Sequence, residues 1–177
     1  MKKVTKLLSA VLIPAIILSL SACSSNSISS SSTASETSSV ASEQSSEAAA
    51  GAPADITAKM QADIKFPSMA EIGSDRMSTY YEIDAGKIDS FSAFICGSGA
   101  VPDEIAVFKM KSEQDVEAAK SVLLARVDNQ KATFESYTPD EMYKFDDKNV
   151  VTNGQYVALI ICADNSAATD IFNSMAK

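Results

Sequence analysis

The chain has 177 residues, 46% of them hydrophobic, and carries 15 Lys and Arg against 23 Asp and Glu with no His, a formal net charge of −8 at pH 7. That acidic balance excludes nucleic acid and anionic headgroups as surface partners, since both need clustered basic side chains to displace counterions. The absence of histidine excludes Ser-His-Asp and Cys-His nucleophile systems and every His-liganded zinc site.

Lys2, Lys3 and Lys6 precede an apolar segment, Leu7 to Leu20, that is too short to span a bilayer and is interrupted by Pro14. Residues 1–22 therefore read as an export signal. Leu20-Ser21-Ala22-Cys23 resembles the lipobox of bacterial lipoproteins. The resemblance implies a diacylglyceryl thioether on Cys23 and cleavage just before it. Two acyl chains, at about 0.8 kcal/mol per buried methylene, hold a protein to a bilayer stably. The expected location is the cell membrane, lipid-anchored on its extracytoplasmic face. Loss of the signal removes three lysines and leaves 12 basic against 23 acidic residues, a net charge of −11. Residues 23–54 follow as a Ser/Ala-rich stretch with no aromatic residue, which cannot bury enough apolar surface to order itself. As a coil it would carry the domain roughly 30 Å from the membrane.

Residues 55–177 are enough for one domain with a real core. Asp55 is placed to cap a helix bearing Ile56, Met60 and Ile64, ended by Pro67. Ser68 and Glu71 at capping-box spacing, with Gly73 as terminator, predict a short helical turn. Phe91, Ala93 and Ile95 alternate with Ser90 and Ser92, the pattern of a half-buried strand, and EIAVFKM after the loop GSGAVPD predicts its hairpin partner. Ser112 caps a long helix whose stripe is Val116, Ala119, Leu123, Val127 and Gln130, and TPDEMYKF starts a short helix with Pro139 in its first turn. Asn153-Gly154 predicts a tight turn between two strands, the second apolar on both faces and hence central. A last helix carries Ile171, Phe172 and Met175. The expected fold is α+β, an antiparallel sheet of about four strands with helices packed on one face, in the order α-β-β-α-β-β-α.

Two glycines after a strand in CGSGAVPDE invite a phosphate-loop reading, but the chain runs on into a strand with no lysine, so a hairpin connection is expected. Asp140/Glu141 and Asp146/Asp147 read as a solvated acidic face, because DDKN lacks the spacing and glycine of a calcium loop. No metal site and no cofactor is expected. Cys96 and Cys162 read as small buried hydrophobes, with a disulfide between them as the alternative that an exported location permits. The candidate site is the cluster Arg126, Gln130, Tyr137 and Glu141. Arg126 and Gln130 lie one helical turn apart at the rim of the buried stripe, with Glu104, Asp140 or Glu141 as partners within reach. The cluster is either an ion pair joining the long helix to the Tyr137 segment or a small cleft for an anionic group, lined by Arg126 and Tyr137.

YYEID at 80–84, DEIAVFK at 103–109, ARVDNQKATFESYTPDE at 125–141 and NGQYVALIICAD at 153–164 resemble the domain of unknown function four-three-five-eight, found in lipoproteins of Gram-positive anaerobes. The resemblance covers nearly all of the domain and implies a lipid-anchored envelope protein; it brings no catalytic residues. The function expected from all of this is a non-enzymatic binding or assembly module, held to the membrane through Cys23 and meeting an envelope protein partner. A small-ligand capture component or a carboxylate-based envelope enzyme is the alternative.

Overall fold

The computed structural model of the protein describes residues 51–177; the expectations for residues 1–50, acylation of Cys23 among them, lie outside that range. Helix α1 covers Pro53–Asp63, with Pro53 in the first turn, where a missing N–H is harmless. Asp55 therefore sits inside the first turn instead of capping it, and Ile56 and Met60 are fully buried. Ahead of α1, the Gly51 N–H donates to the Met175 carbonyl at 2.8 Å and the Tyr156 hydroxyl donates to the Gly51 carbonyl at 3.3 Å.

Strand β1, Met69–Glu71, stands where the Ser68–Glu71 spacing predicts a helical turn. It pairs antiparallel with β2, Ile88–Cys96, in the register Met69↔Cys96 and Glu71↔Phe94. An isolated helical turn fixes several dihedrals for one hydrogen bond, whereas three residues beside an open strand edge gain a ladder. Gly73 then opens a helix where it was expected to end one: α2 covers Ser74–Tyr80, with Asp75 at its positive end.

The predicted hairpin joins β2 to β3, Glu104–Met110, with Phe91↔Phe108 and Ala93↔Ala106 opposed. A 3₁₀ turn at Glu113–Asp115 leads into α3, Val116–Tyr137, which buries Val116, Ala119, Leu123 and Val127 of the predicted stripe and adds Phe134, while Gln130 is half-buried. The short helix expected after it is a 3₁₀ segment, Pro139–Lys144. Strands β4, Val150–Asn153, and β5, Tyr156–Ile161, close on a tight turn in which Gly154 takes φ +53°. Helix α4, Asn165–Met175, is capped by Asp164, whose carboxylate accepts the Ala167 N–H at 2.9 Å.

The class is α+β, and the sheet is antiparallel throughout, with five strands in the order β1-β2-β3-β5-β4. The fifth strand is β1, and α2 is an added helix, so the element order differs from the one expected. The helices also lie on both faces of the sheet, not on one. α3, with Met77 of α2 and Tyr81, covers the face of Ala106, Phe108, Val157 and Leu159. α1 and α4 cover the face of Ile105, Val107, Ala158 and Ile160. A central strand that is apolar on both faces needs a cover on each, and all six residues of β5 are buried. Ser92, expected to face solvent, is instead buried under α1, where its hydroxyl meets that of Thr57 at 2.7 Å.

Candidate functional site

The site begins with two consecutive acids at the start of β3. Adjacent strand residues point to opposite faces, so Asp103 and Glu104, both buried, leave the sheet in opposite directions. A buried carboxylate needs a cation and further hydrogen bonds. On the α3 face the Arg126 guanidinium meets Glu104 through both of its oxygens, Nε to Oε1 at 2.7 Å and Nη2 to Oε2 at 2.8 Å. Gln130 Nε2 adds a third bond to Glu104 Oε2 at 2.9 Å, and Arg126 Nη1 donates to the Tyr80 carbonyl at 3.0 Å. Burial works to lower the Arg126 pKa, but the hydrogen bonds and charge of Glu104 override it and the net shift is upward. The Tyr81 phenol oxygen is buried beside this pair without a hydrogen-bond partner among the described residues. Burial first, and the Glu104 carboxylate second, hold its pKa well above the usual tyrosine value.

Asp103 is answered from the segment after α3. Lys144 Nζ donates to Asp103 Oδ2 at 2.5 Å and pairs with Glu141 Oε2 at 2.5 Å. Burial opposes the lysine's charge, and the Asp103 and Glu141 contacts raise its pKa on balance. The Lys144 carbonyl accepts from the side-chain amides of Asn149 and Asn165, both at 2.8 Å, and the Asn149 amide also donates to the Ile160 carbonyl at 2.7 Å, which fixes the segment against β5 and the start of α4.

The four residues of the candidate cluster are thus divided. Arg126 and Gln130 come together on Glu104, one of the partners considered. Glu141 belongs to the Lys144 pair, and Tyr137 is 67% exposed, edge-on to Phe134 at 6.3 Å. The ion pair joins α3 to the central strand, not to the Tyr137 segment, because a fully buried Glu104 has the stronger claim on the guanidinium. Asp103–Lys144 went unanticipated, although its signal was present: two acids opening a strand that is apolar on both faces demand one cation on each side.

Cys96 and Cys162 are free thiols, so the alternative disulfide is not made. Cys96 ends β2 and Cys162 follows β5, with β3 between those strands; two strand spacings, about 9.5 Å, exceed what a disulfide can bridge. Burial pushes the Cys162 thiol up to about 11. Burial acts the same way on Cys96, but hydrogen bonds from the Ser98 hydroxyl and the loop backbone outweigh it, and its pKa is lowered. Among the described residues no group of three or more Cys, Asp or Glu is arranged to hold a metal ion.

Above the Arg126–Glu104 pair lies an open cleft of about 580 Å³, walled by Thr79–Glu82 on one side and by α3 on the other, with Ser121, Asn129, Gln130 and Thr133 facing in. A second cavity of about 200 Å³, between Glu82–Lys87 and the first turns of α3, shares Glu82 and Val122 with the first. The two adjoin at Glu82 and Val122 and make a groove beside α3 from Ala118 to Thr133, about 22 Å at the helical rise. The guanidinium fork that would recognise an anion is already engaged by Glu104, so the walls offer hydroxyls, amides and the Glu82 carboxylate.

No curated protein and no solved structure matches the chain. Residues 62–162, which hold both buried ion pairs and the whole groove, match the model described as Domain of unknown function (DUF4358), and the chain belongs to that family.

Proposed function

We propose that the protein is a lipid-anchored lipoprotein of the cell envelope that works as a non-enzymatic binding module, receiving its partner in the groove along α3. The observation that carries this reading is the groove itself. Its volume lies within the range of ligand sites, and its floor is held rigid by a buried ion pair whose charges are spent on each other. The anchor half of the reading rests on the Leu20–Cys23 box and the basic and apolar segments before it.

Both halves are testable in the full chain. Metabolic labelling with an alkyne fatty acid should mark the wild-type chain and not Cys23→Ala; equal labelling of both would sink the anchor. A photocrosslinking residue at Asn129, on the groove wall, should capture one envelope component that the same residue at Lys59, on the far side of the sheet, does not. Identical capture from the two positions would remove the groove from the function.

A further inference from the structure

We infer that the groove takes an extended, positively charged peptide segment, which adds as a strand along Tyr81–Asp84 and lays its side chains against α3. This deepens the proposed function and rests on the groove being the binding site. Residues 81–84 alternate buried and exposed side chains at the period of a strand, with Tyr81 and Ile83 buried and Glu82 and Asp84 exposed. Tyr81 is extended at φ −126°, ψ 110°, and Asp84, at φ −60°, ψ 112°, leads into a 3₁₀ turn at Ala85–Lys87. Among the described residues, the N–H and C=O groups of Glu82 and Ile83 make no backbone hydrogen bond. An extended segment at a groove wall whose N–H and C=O groups are free of backbone partners is a template for a further strand. The same segment borders both cavities, so a strand paired with its four residues, about 13 Å long, would bridge the two.

Charge selects the occupant. Glu82 and Asp84 carry no ion pair among the described residues, though Asp84 accepts the Gly86 N–H at 2.8 Å; Lys87 on the same wall is taken by Asp115 at 2.9 Å, and Arg126 is matched by Glu104. The groove is left with carboxylates in excess, on a chain whose net charge is −8. A saccharide is the poorer fit. It would need a free aromatic face, and the Tyr80 ring already carries the Arg76 and Arg126 guanidinium carbons at 5.9 and 5.6 Å from its centroid.

The test is selection of a randomised dodecapeptide display library on the full chain in detergent micelles. Amide hydrogen exchange is then measured with the best-enriched peptide, and separately with a chitin tetrasaccharide. The expected result is enrichment of Lys- and Arg-bearing sequences, slowed exchange at Glu82 or Ile83, binding weakened about tenfold by N-methylation of alternate peptide amides, and weaker binding by Glu82→Gln. Enriched peptides without positive charge, or protection confined to α3, would overturn strand addition by a basic segment while leaving the groove as the binding site. Perturbation by the tetrasaccharide alone would do the same. No enrichment and no change at either wall with either probe would overturn this inference and the proposed function together.

Discussion

Glu104 is fully buried and depends on Arg126 for its charge balance, which makes the pair asymmetric to mutation. Arg126→Met strands a carboxylate in the core, and we expect a loss of about 3–5 kcal/mol in urea unfolding, whereas Glu104→Met/Arg126→Met should recover most of it. Unchanged stability in the single variant would contradict the structural role. The thiols provide a second test at this scale. In a Cys23→Ala chain at pH 8, iodoacetamide should modify Cys96 about tenfold or more faster than Cys162, whose pKa is raised to about 11. Equal rates would refute the difference in environment. The raised pKa of Cys162, and that of Tyr81, also set a pH dependence. The native state keeps a proton that the unfolded chain releases. The contribution is therefore complete below the ordinary thiol value of 9.0 and is lost as the pH rises toward 11. Stability should decline across that alkaline window, less steeply in Cys162→Ala. At this scale the sequence was half legible. Arg126 and Gln130 could be paired because one helix displays both, one turn apart. Glu141 reads as a partner of Arg126 because Lys144, which it meets in the structure, looks like any surface lysine until Asp103 is known to be buried.

Among the elements, those with a long period or a strong turn were readable and the short ones were not. The 22 residues of α3 repeat their apolar stripe often enough to leave little choice, and Asn153-Gly154 marks the hairpin, although its two loop residues are Gly154 and Gln155 and Asn153 stays in β4 opposite Tyr156. With φ at +53°, Gly154→Ala should cost about 1–2 kcal/mol in thermal or urea unfolding. A neutral substitution would mean that the hairpin re-forms on another turn type. β1 has three residues and no pattern of its own; whether it coils or extends is decided by the free edge of β2, which lies some twenty-five positions further along the chain. The Ser90/Ser92 alternation misled for the same reason. It is a true strand period, but Thr57 on α1 makes a buried seat for Ser92 that no local window contains.

For the molecule as a whole, the acidic surface and the two-faced sheet bear on how a partner is met. A basic peptide drawn by this field should bind several-fold more weakly at 0.5 M salt than at 0.05 M, because screening shortens the reach of exposed charges from about 14 Å to about 4 Å. A salt-independent affinity would argue for an apolar contact instead. The groove lies on the α3 face, while the described chain enters at Gly51 on the face of α1 and α4. Gly51 is clasped from both sides, by Met175 at the end of α4 and by Tyr156 in β5. Tension entering at Gly51 is therefore shared with the C-terminal helix and an inner strand before α1 can be peeled from the sheet.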